Sequence, residues 1–322
     1  MYRWIKYTAS IFLITLAILV YVGWASDIPH DVLAEKYATG ASEFIDLPSG
    51  ARAHYRMQGN RSGKTIVLLH GSNSSLHTWE PWVEHLSDDS FIVTVDLPGH
   101  GLTGAVPGDD YTYGGMVSFL KEFAQGVKLE SFILGGNSMG GGVTLAYSLA
   151  YPEDVSGLIL VDAAGTRLPA LAADKVDYPL AFDLAGRWYT DWIFENVTPR
   201  SIVEEGLSKS VSVKTIITEQ AVDRYWELVR HSGNRRATGL RFAWYRTGGS
   251  RDLQVEKIAQ PSLIIWGDED NLIPVESGKS LHDRMPNSDL KIFEGVGHLP
   301  MEEIPVKTAT TVKAFIEKLS AD

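Results

Sequence analysis

Ser138 stands at the centre of Gly135-Gly136-Asn137-Ser138-Met139-Gly140-Gly141-Gly142, and a serine held in a tight glycine turn is a candidate nucleophile. The string follows an apolar run, Ser131 to Leu134, and leads into a helical pattern, Val143 to Ala150. Strand, sharp turn and helix give the G-x-S-x-G pattern of Gly136 to Gly140 its meaning. Small residues on both sides let the two backbones approach and leave the hydroxyl exposed at the tip of a strained turn. A serine hydroxyl is a poor nucleophile at neutral pH, so a base must lie within hydrogen-bond reach and a third group must orient that base. Two late segments supply candidates. Trp266-Gly267-Asp268-Glu269-Asp270-Asn271-Leu272-Ile273-Pro274 follows an apolar run at Ser262 to Ile265, and Gly295-Val296-Gly297-His298-Leu299-Pro300 follows one at Leu290 to Phe293. Asp268 and Asp270 are candidate acids, and His298, in a glycine loop, is the candidate base. Asp162, closing the run Leu158 to Val161, is another candidate acid, with a turn or helix cap as its plainer reading. Other histidines, His54, His85 and His282 among them, read as surface residues.

The elements that must hold these residues are legible as an alternation. Glu43 to Asp46 and Ala51 to Met57 flank Pro48-Ser49-Gly50 and predict a hairpin. Short β-rich runs follow at Thr65 to Leu69, Phe91 to Val95, Ser131 to Leu134, Leu158 to Val161, Ser262 to Ile265 and Leu290 to Phe293. Helical patterns fall between most of them, around Leu76 to Leu86, Tyr113 to Val127, Met139 to Ala150, Ser277 to Arg284 and Pro305 to Leu319. Such alternation predicts an α/β fold with a mostly parallel sheet covered by helices on both faces. The candidate nucleophile, acid and base then all follow strand ends, where open parallel sheets place their sites. The interval from Asp162 to Pro261 is far longer than a crossover needs, which predicts an inserted helical cap. Its Trp188, Trp192, Trp226, Trp244, Phe182, Phe194 and Phe242 either form the cap's own core or line an apolar pocket over the serine.

The first segment differs from the rest. Tyr7 to Ser26 carries no charge and is rich in Ile, Leu, Val and Ala, enough to span a bilayer as one helix. Arg3 and Lys6 precede it while Asp27, Asp31 and Glu35 follow, which puts the N-terminus in the cytoplasm and the body on the far side. Trp4, Tyr7, Tyr21 and Trp24 stand where aromatic belts would. A cleaved signal peptide is the competing reading, with Gly23-Trp24-Ala25 as a loose cleavage site and a secreted product. The expected organisation is therefore an anchor or signal segment at 1–26, a linker at 27–41, a core in two parts at 42–165 and 253–322, and a cap at 166–252.

Composition narrows the function. A net charge of −11 without any dense Lys/Arg cluster argues against nucleic acid. Cysteine is absent, which excludes disulfides and thiolate metal sites, and no H-E-x-x-H spacing occurs, so no metal is expected. Neither G-x-x-x-x-G-K-[ST] nor a well-placed G-x-G-x-x-G is present, so no nucleotide or other cofactor is expected.

From about Ser42 to Leu319 the chain resembles the α/β-hydrolases. The resemblance rests on the Ser138 turn, the W-G-x-x-D-x-x-x-P block at Trp266 to Pro274, the G-x-G-H block at Gly295 to His298, and the chain order Ser, acid, His. The family pattern puts the acid three residues after the glycine, which selects Asp270 over Asp268 and Asp162. It also implies an oxyanion hole: His70-Gly71-Ser72-Asn73 resembles the H-G-x loop, so the donors would be the N–H groups of Ser72 and Met139. His70 is then a loop-holding residue, and Asp96-Leu97-Pro98-Gly99-His100-Gly101 turn architecture at the pocket rim. The string from Gly135 to Gly165 is similar to membrane-associated bacterial lipases and monoacylglycerol lipases, while Gly-Asn-Ser-Met-Gly-Gly is also typical of hydrolases that cleave carbon–carbon bonds in ring-fission products. Epoxide and haloalkane hydrolases share the fold but use an Asp nucleophile, against Ser138. The resemblance implies a serine hydrolase that cleaves carboxylic esters through an acyl-enzyme with Ser138, His298 and Asp270, the expected substrate being a lipid-like acyl ester such as a monoacylglycerol or a medium-chain ester. Carbon–carbon cleavage is the alternative, and a catalytically idle binding protein the alternative of another class.

Overall fold

The computed structural model describes residues 20–167, 176–248 and 252–321, together with positions 7, 10, 14, 15 and 18. One eight-stranded sheet runs through it: β1 (Ser42–Asp46), β2 (Arg52–Gly59), β3 (Lys64–Leu69), β4 (Ser90–Val95), β5 (Phe132–Asn137), β6 (Val155–Val161), β7 (Ser262–Gly267) and β8 (Ser288–Phe293). The spatial order is β1-β2-β4-β3-β5-β6-β7-β8, antiparallel at β1/β2 and β2/β4 and parallel in every other pair. The central strands read as unbroken apolar runs because both faces are covered. On β3, Ile66 and Leu68 pack with Trp79, Trp82, Leu86 and Phe315, while Val67 and Leu69 pack with Met116, Leu120 and Phe123 on the other side. The two-residue period of a strand thus divides one hydrophobic run between two cores.

The structure extends β5 beyond the apolar run that predicts it. Gly135, Gly136 and Asn137 belong to the strand, since Leu68 pairs with Gly135, and Ile159 and Val161 pair with Gly135 and Asn137. Poor strand formers are held here by ladders on both sides, so tertiary pairing overrides local preference.

Between β6 and β7 the described residues form helices at Leu180–Leu184, Asp191–Asn196, Arg200–Ser210, Glu219–Val229 and Asn234–Arg246. The 27–41 segment, expected as a linker, contains a helix at His30–Tyr37 that buries Leu33 and Tyr37 against Leu102 and Leu228. Its short apolar spacing hides in a polar stretch, which is why it reads as a linker. Just before it the chain runs along the inserted helices: Ala25 N–H donates to Asn196 O at 2.9 Å, Ile28 N–H to Arg230 O at 2.8 Å, and Arg235 reaches Ala25 O and Asp27, each at 2.7 Å. Eight of the twenty residues of the expected span Tyr7 to Ser26 lie outside the described residues. Among those described, no helix is long and apolar enough to cross a membrane.

Candidate active site

The turn after β5 holds Ser138 at φ 53° and ψ −119°, a conformation that costs a non-glycine residue energy. Its neighbours make the turn feasible. A Cβ on Gly136 would lie 2.3 Å from Gly140 C, and one on Gly140 would lie 2.3 Å from Leu69 O, so only glycine lets β5, the following helix and β3 close up. Ser138 N–H donates to Val161 O at 3.0 Å, and Ser138 O accepts from Ala164 N–H at 2.9 Å, which ties the turn to the end of β6.

Asp270 and His298 follow β7 and β8 and meet: His298 Nδ1 donates to Asp270 Oδ2 at 2.6 Å, both residues being buried. With Nδ1–H so engaged, Nε2 carries the lone pair a base needs. Asp270 Oδ1 accepts from the N–H groups of Leu272 and Ile273, so the carboxylate is held at both ends. Asp268 is exposed and accepts from Gly295 N–H, away from the imidazole. Asp162 is fully buried, with Oδ1 accepting from Gly267 N–H at 3.0 Å. Burial first, and then the Asp270 carboxylate, push the Asp162 carboxyl well above the usual range, so it is a neutral acid. Ionised, its Oδ2 would have no donor; protonated, it donates to Asp270. Donor atoms of Asp162, Asp270 and His298 fall within 4.8 Å of one another. They fit a metal ion poorly, because one carboxyl is protonated and the other two groups are already joined by a hydrogen bond.

Three residues that sequence reasoning passed over brace this arrangement. Asn137 Nδ2 donates to His298 O at 3.0 Å and to Val161 O at 3.2 Å, so the residue before the serine fixes the histidine loop. Glu303 is buried and accepts from the N–H groups of Gly297, Leu299, Ser212 and Val213, joining that loop to the inserted helices. The third is Arg241. Asn73, at φ 57°, accepts at Oδ1 from Thr238 Oγ1 at 2.8 Å and from Arg241 Nη2 at 3.3 Å, so an inserted helix grips the Gly71–Asn73 loop. Burial lowers the Arg241 pKa to about 10, which leaves the side chain charged at neutral pH. Only proximity in space marks these three, although a carboxylate shortly after the histidine is a weak local signal for Glu303.

Ser72 and Met139 flank Ser138 on one cavity wall, and no acceptor among the described residues takes the N–H of either. His70 has the loop-holding part expected of it: Nδ1–H donates to Gly71 O at 2.8 Å and Nε2 accepts from Leu97 N–H at 3.0 Å. His54, expected at the surface, is instead fully buried and bonded through Nδ1 to Asp96 Oδ2 at 2.6 Å. Asp96 also accepts from Leu76 and Leu102 N–H. A polar residue on an amphipathic strand looks exposed until its buried partner, far along the chain, is known. Burial would raise the Asp96 carboxyl, but His54, with His70 and His77, outweighs it and holds the group below the usual carboxylate range.

Burial is the main force on His70, His77, His100 and His231 and pushes each below the ordinary imidazole value, His77 to about 4. A base with a lower pKa folded than unfolded contributes stability that is complete above its unfolded value, about 6.5, and is lost as pH falls toward the folded one. The urea midpoint is therefore expected to be level above pH 7 and to fall from about pH 6.5 toward pH 4. A midpoint that stays constant between pH 7.5 and pH 5 would contradict this.

Two cavities meet at Ser138 and Ser72. One, of about 120 Å³, contains Ser138 and His298 and is walled by Phe182, Phe194, Ile202, Val203, Leu207 and Val229. The other, of about 590 Å³, is more open and includes Met139, Tyr113, Thr166, Arg167 and Arg246. Of the inserted aromatics, Phe182, Phe194 and Phe242 line cavities, and Trp244 packs on Tyr113 at 5.2 Å. Trp188 and Trp192 do neither and face outward.

A strained serine turn after β5, an acid after β7 and a histidine after β8 on this sheet define a hydrolase of the α/β class. The alpha/beta hydrolase fold family matches residues 64–305, well over half of the chain, and the protein belongs to that family. Lipase 1 of Psychrobacter immobilis is 28% identical over 285 residues, covering 86% of this chain and 84% of its own. Monoacylglycerol lipase ABHD6 of Homo sapiens is 28% identical over 266 residues, covering 81% and 78%. Among solved structures, a meta-cleavage product hydrolase from Pseudomonas fluorescens IP01 superposes with a TM-score of 0.73 at 20% identity, over 86% of this chain and 97% of that one. At that identity the likeness is one of fold.

Proposed function

We propose that the protein is a serine carboxylic ester hydrolase acting on lipid-like acyl esters, a monoacylglycerol or a medium-chain ester. Ser138 attacks the ester carbonyl, His298 takes its proton and passes it to the leaving alcohol, and Asp270 orients the imidazole. The N–H groups of Ser72 and Met139 receive the oxyanion, and water activated by His298 then frees the acid. The observation that carries this reading is that His298, bonded through Nδ1 to the buried Asp270, opens with Ser138 onto one apolar cavity. The names of the two curated relatives, both lipases, support it. In the proposal the first segment anchors the chain, with the catalytic body on the extracytoplasmic side.

Rates on p-nitrophenyl esters from butyrate to palmitate, for wild type beside Ser138→Ala and Gly206→Leu, test this. Ser138→Ala is expected to lose about 10³-fold or more on every ester. Gly206 lines the apolar cavity within the helix Arg200–Ser210, and a Cβ there would meet only Pro179 at 3.7 Å. An isobutyl group at that position fills the cavity and should lower the decanoate-to-butyrate ratio of kcat/KM by about tenfold. Equal rates for wild type and Ser138→Ala would sink the mechanism. The Gly-Asn-Ser-Met-Gly-Gly string favours a second reading, hydrolysis of carbon–carbon bonds in ring-fission dienoates, and turnover of such a dienoate with none of any ester would establish it. The apolar first segment counts against it, since those substrates are soluble.

A further inference from the structure

Among the described residues fifteen large hydrophobic side chains are exposed, and their distribution is lopsided. Six lie between Tyr7 and Trp24 and seven on the inserted segment, whereas outside these stretches the only large hydrophobics exposed among the described residues are Val32 and Val306. Scattered single exposures need no explanation, but a cluster marks a surface that meets something apolar. Trp188 is 86% exposed, Tyr189 59%, Trp192 58% and Trp24 49%. The rings of Trp24 and Trp192 lie 6.0 Å apart, and a β-bridge joins Trp24 to Val197, so the end of the uncharged first segment is fastened beside the outward aromatics.

The same helices face both ways. In Leu180–Leu184, Ala181 and Phe182 line the apolar cavity at Ser138 while Leu180 is exposed. In Asp191–Asn196, Phe194 lines the cavity while Trp192 and Ile193 are exposed. One thin layer therefore separates the exposed aromatics from the cavity. Trp and Tyr, with an apolar ring and a polar tip, are the residues that favour the boundary between lipid and water.

We infer that the outer face of the inserted helices, centred on Trp188, Tyr189 and Trp192, docks on the lipid bilayer that the first segment of the same chain enters. Its substrates then pass from the leaflet into the cavity without crossing water. The substrate side of this inference rests on the ester hydrolase reading, and the surface rests on the anchor reading of the first segment alone. Residues 7–26 suffice in length to cross the hydrocarbon, and Trp24 at their end is held against the patch, so the leaflet and the aromatics come to one level.

The chain has no cysteine, so one introduced thiol reports from one place. Full-length Trp188→Cys, Trp192→Cys and Val306→Cys proteins, each labelled with an environment-sensitive fluorophore and reconstituted in phosphatidylcholine vesicles, are expected to differ. Probes at 188 and 192 should shift to the blue and be quenched by brominated lipid, and the probe at 306 should do neither. Equal exposure of all three probes would overturn the inference. So would energy transfer between probes on separate chains at 188 without lipid quenching, which would give the surface to a second copy. A Trp188→Ser/Trp192→Ser protein should show a KM about fivefold or more higher for monoacylglycerol embedded in vesicles, with kcat/KM on soluble p-nitrophenyl butyrate within about twofold of wild type. Equal loss on both substrates, or no change on either, contradicts docking. Because the fluorescence readout needs no turnover, an absence of ester hydrolysis by wild type would count against the enzymatic reading and leave the surface to be judged by the probes.

Discussion

Asp270→Asn is expected to lower kcat by about 10⁴-fold while leaving KM for a soluble ester nearly unchanged, because the amide oxygen is claimed by two backbone N–H groups, its NH2 then faces His298 Nδ1 as a second donor, and the ring is left in the wrong tautomer. The 2.6 Å bond from His298 Nδ1 ends on Asp270 Oδ2, and the other oxygen is held by Leu272 and Ile273 N–H, so no rotation restores the acceptor. Asp162→Asn is the informative partner. Asp162 is already a neutral hydrogen-bonding group, accepting from Gly267 N–H and donating to Asp270, and an amide can do both. Its loss should be about tenfold or less. Steady-state kinetics on one p-nitrophenyl ester read both. A larger loss for Asp162→Asn than for Asp270→Asn would reverse the roles given to these two acids.

Gly140→Ala is expected to destabilise the protein by about 2–4 kcal/mol and to cut activity well beyond what the lost stability explains. The new Cβ would lie 2.3 Å from Leu69 O and 2.6 Å from His70 O, and both are backbone atoms that cannot swing aside. To relieve the clash, β3 must part from the helix that starts at Met139. That movement separates the Ser72 and Met139 N–H groups, so the damage should fall on kcat more than on KM. Urea denaturation and kinetics on the same preparation check it. A midpoint within error of wild type would show that the two backbones are not as tightly apposed as described.

Much of this fold is legible in the sequence because its central strands are buried on both faces. Ile66 to Leu69 or Leu158 to Val161 can be nothing but apolar, and glycine turns and helical periods punctuate them. Ends are less legible where pairing decides them, as at Gly135 to Asn137. Residues whose part depends on a distant partner are legible least. His54 looks exposed until Asp96 is found beside it, and His30–Tyr37 looks like a linker until Leu102 and Leu228 receive it. Trp188 and Trp192 look like core or pocket aromatics, yet nothing in local order says which way a short helix turns its face.

The sequence by itself determined which chemical groups stand after which strands: a serine between glycines, a histidine between glycine and leucine, an aspartate in a W-G-x-x-D block. Those placements are local, since a few residues of turn chemistry set them. Tertiary structure alone decided which of three aspartates reaches His298, that Asp162 is neutral, and that Thr238 and Arg241 hold Asn73 across more than 160 residues of chain. Burial and charge proximity arise only when segments far apart in sequence share one low-dielectric interior.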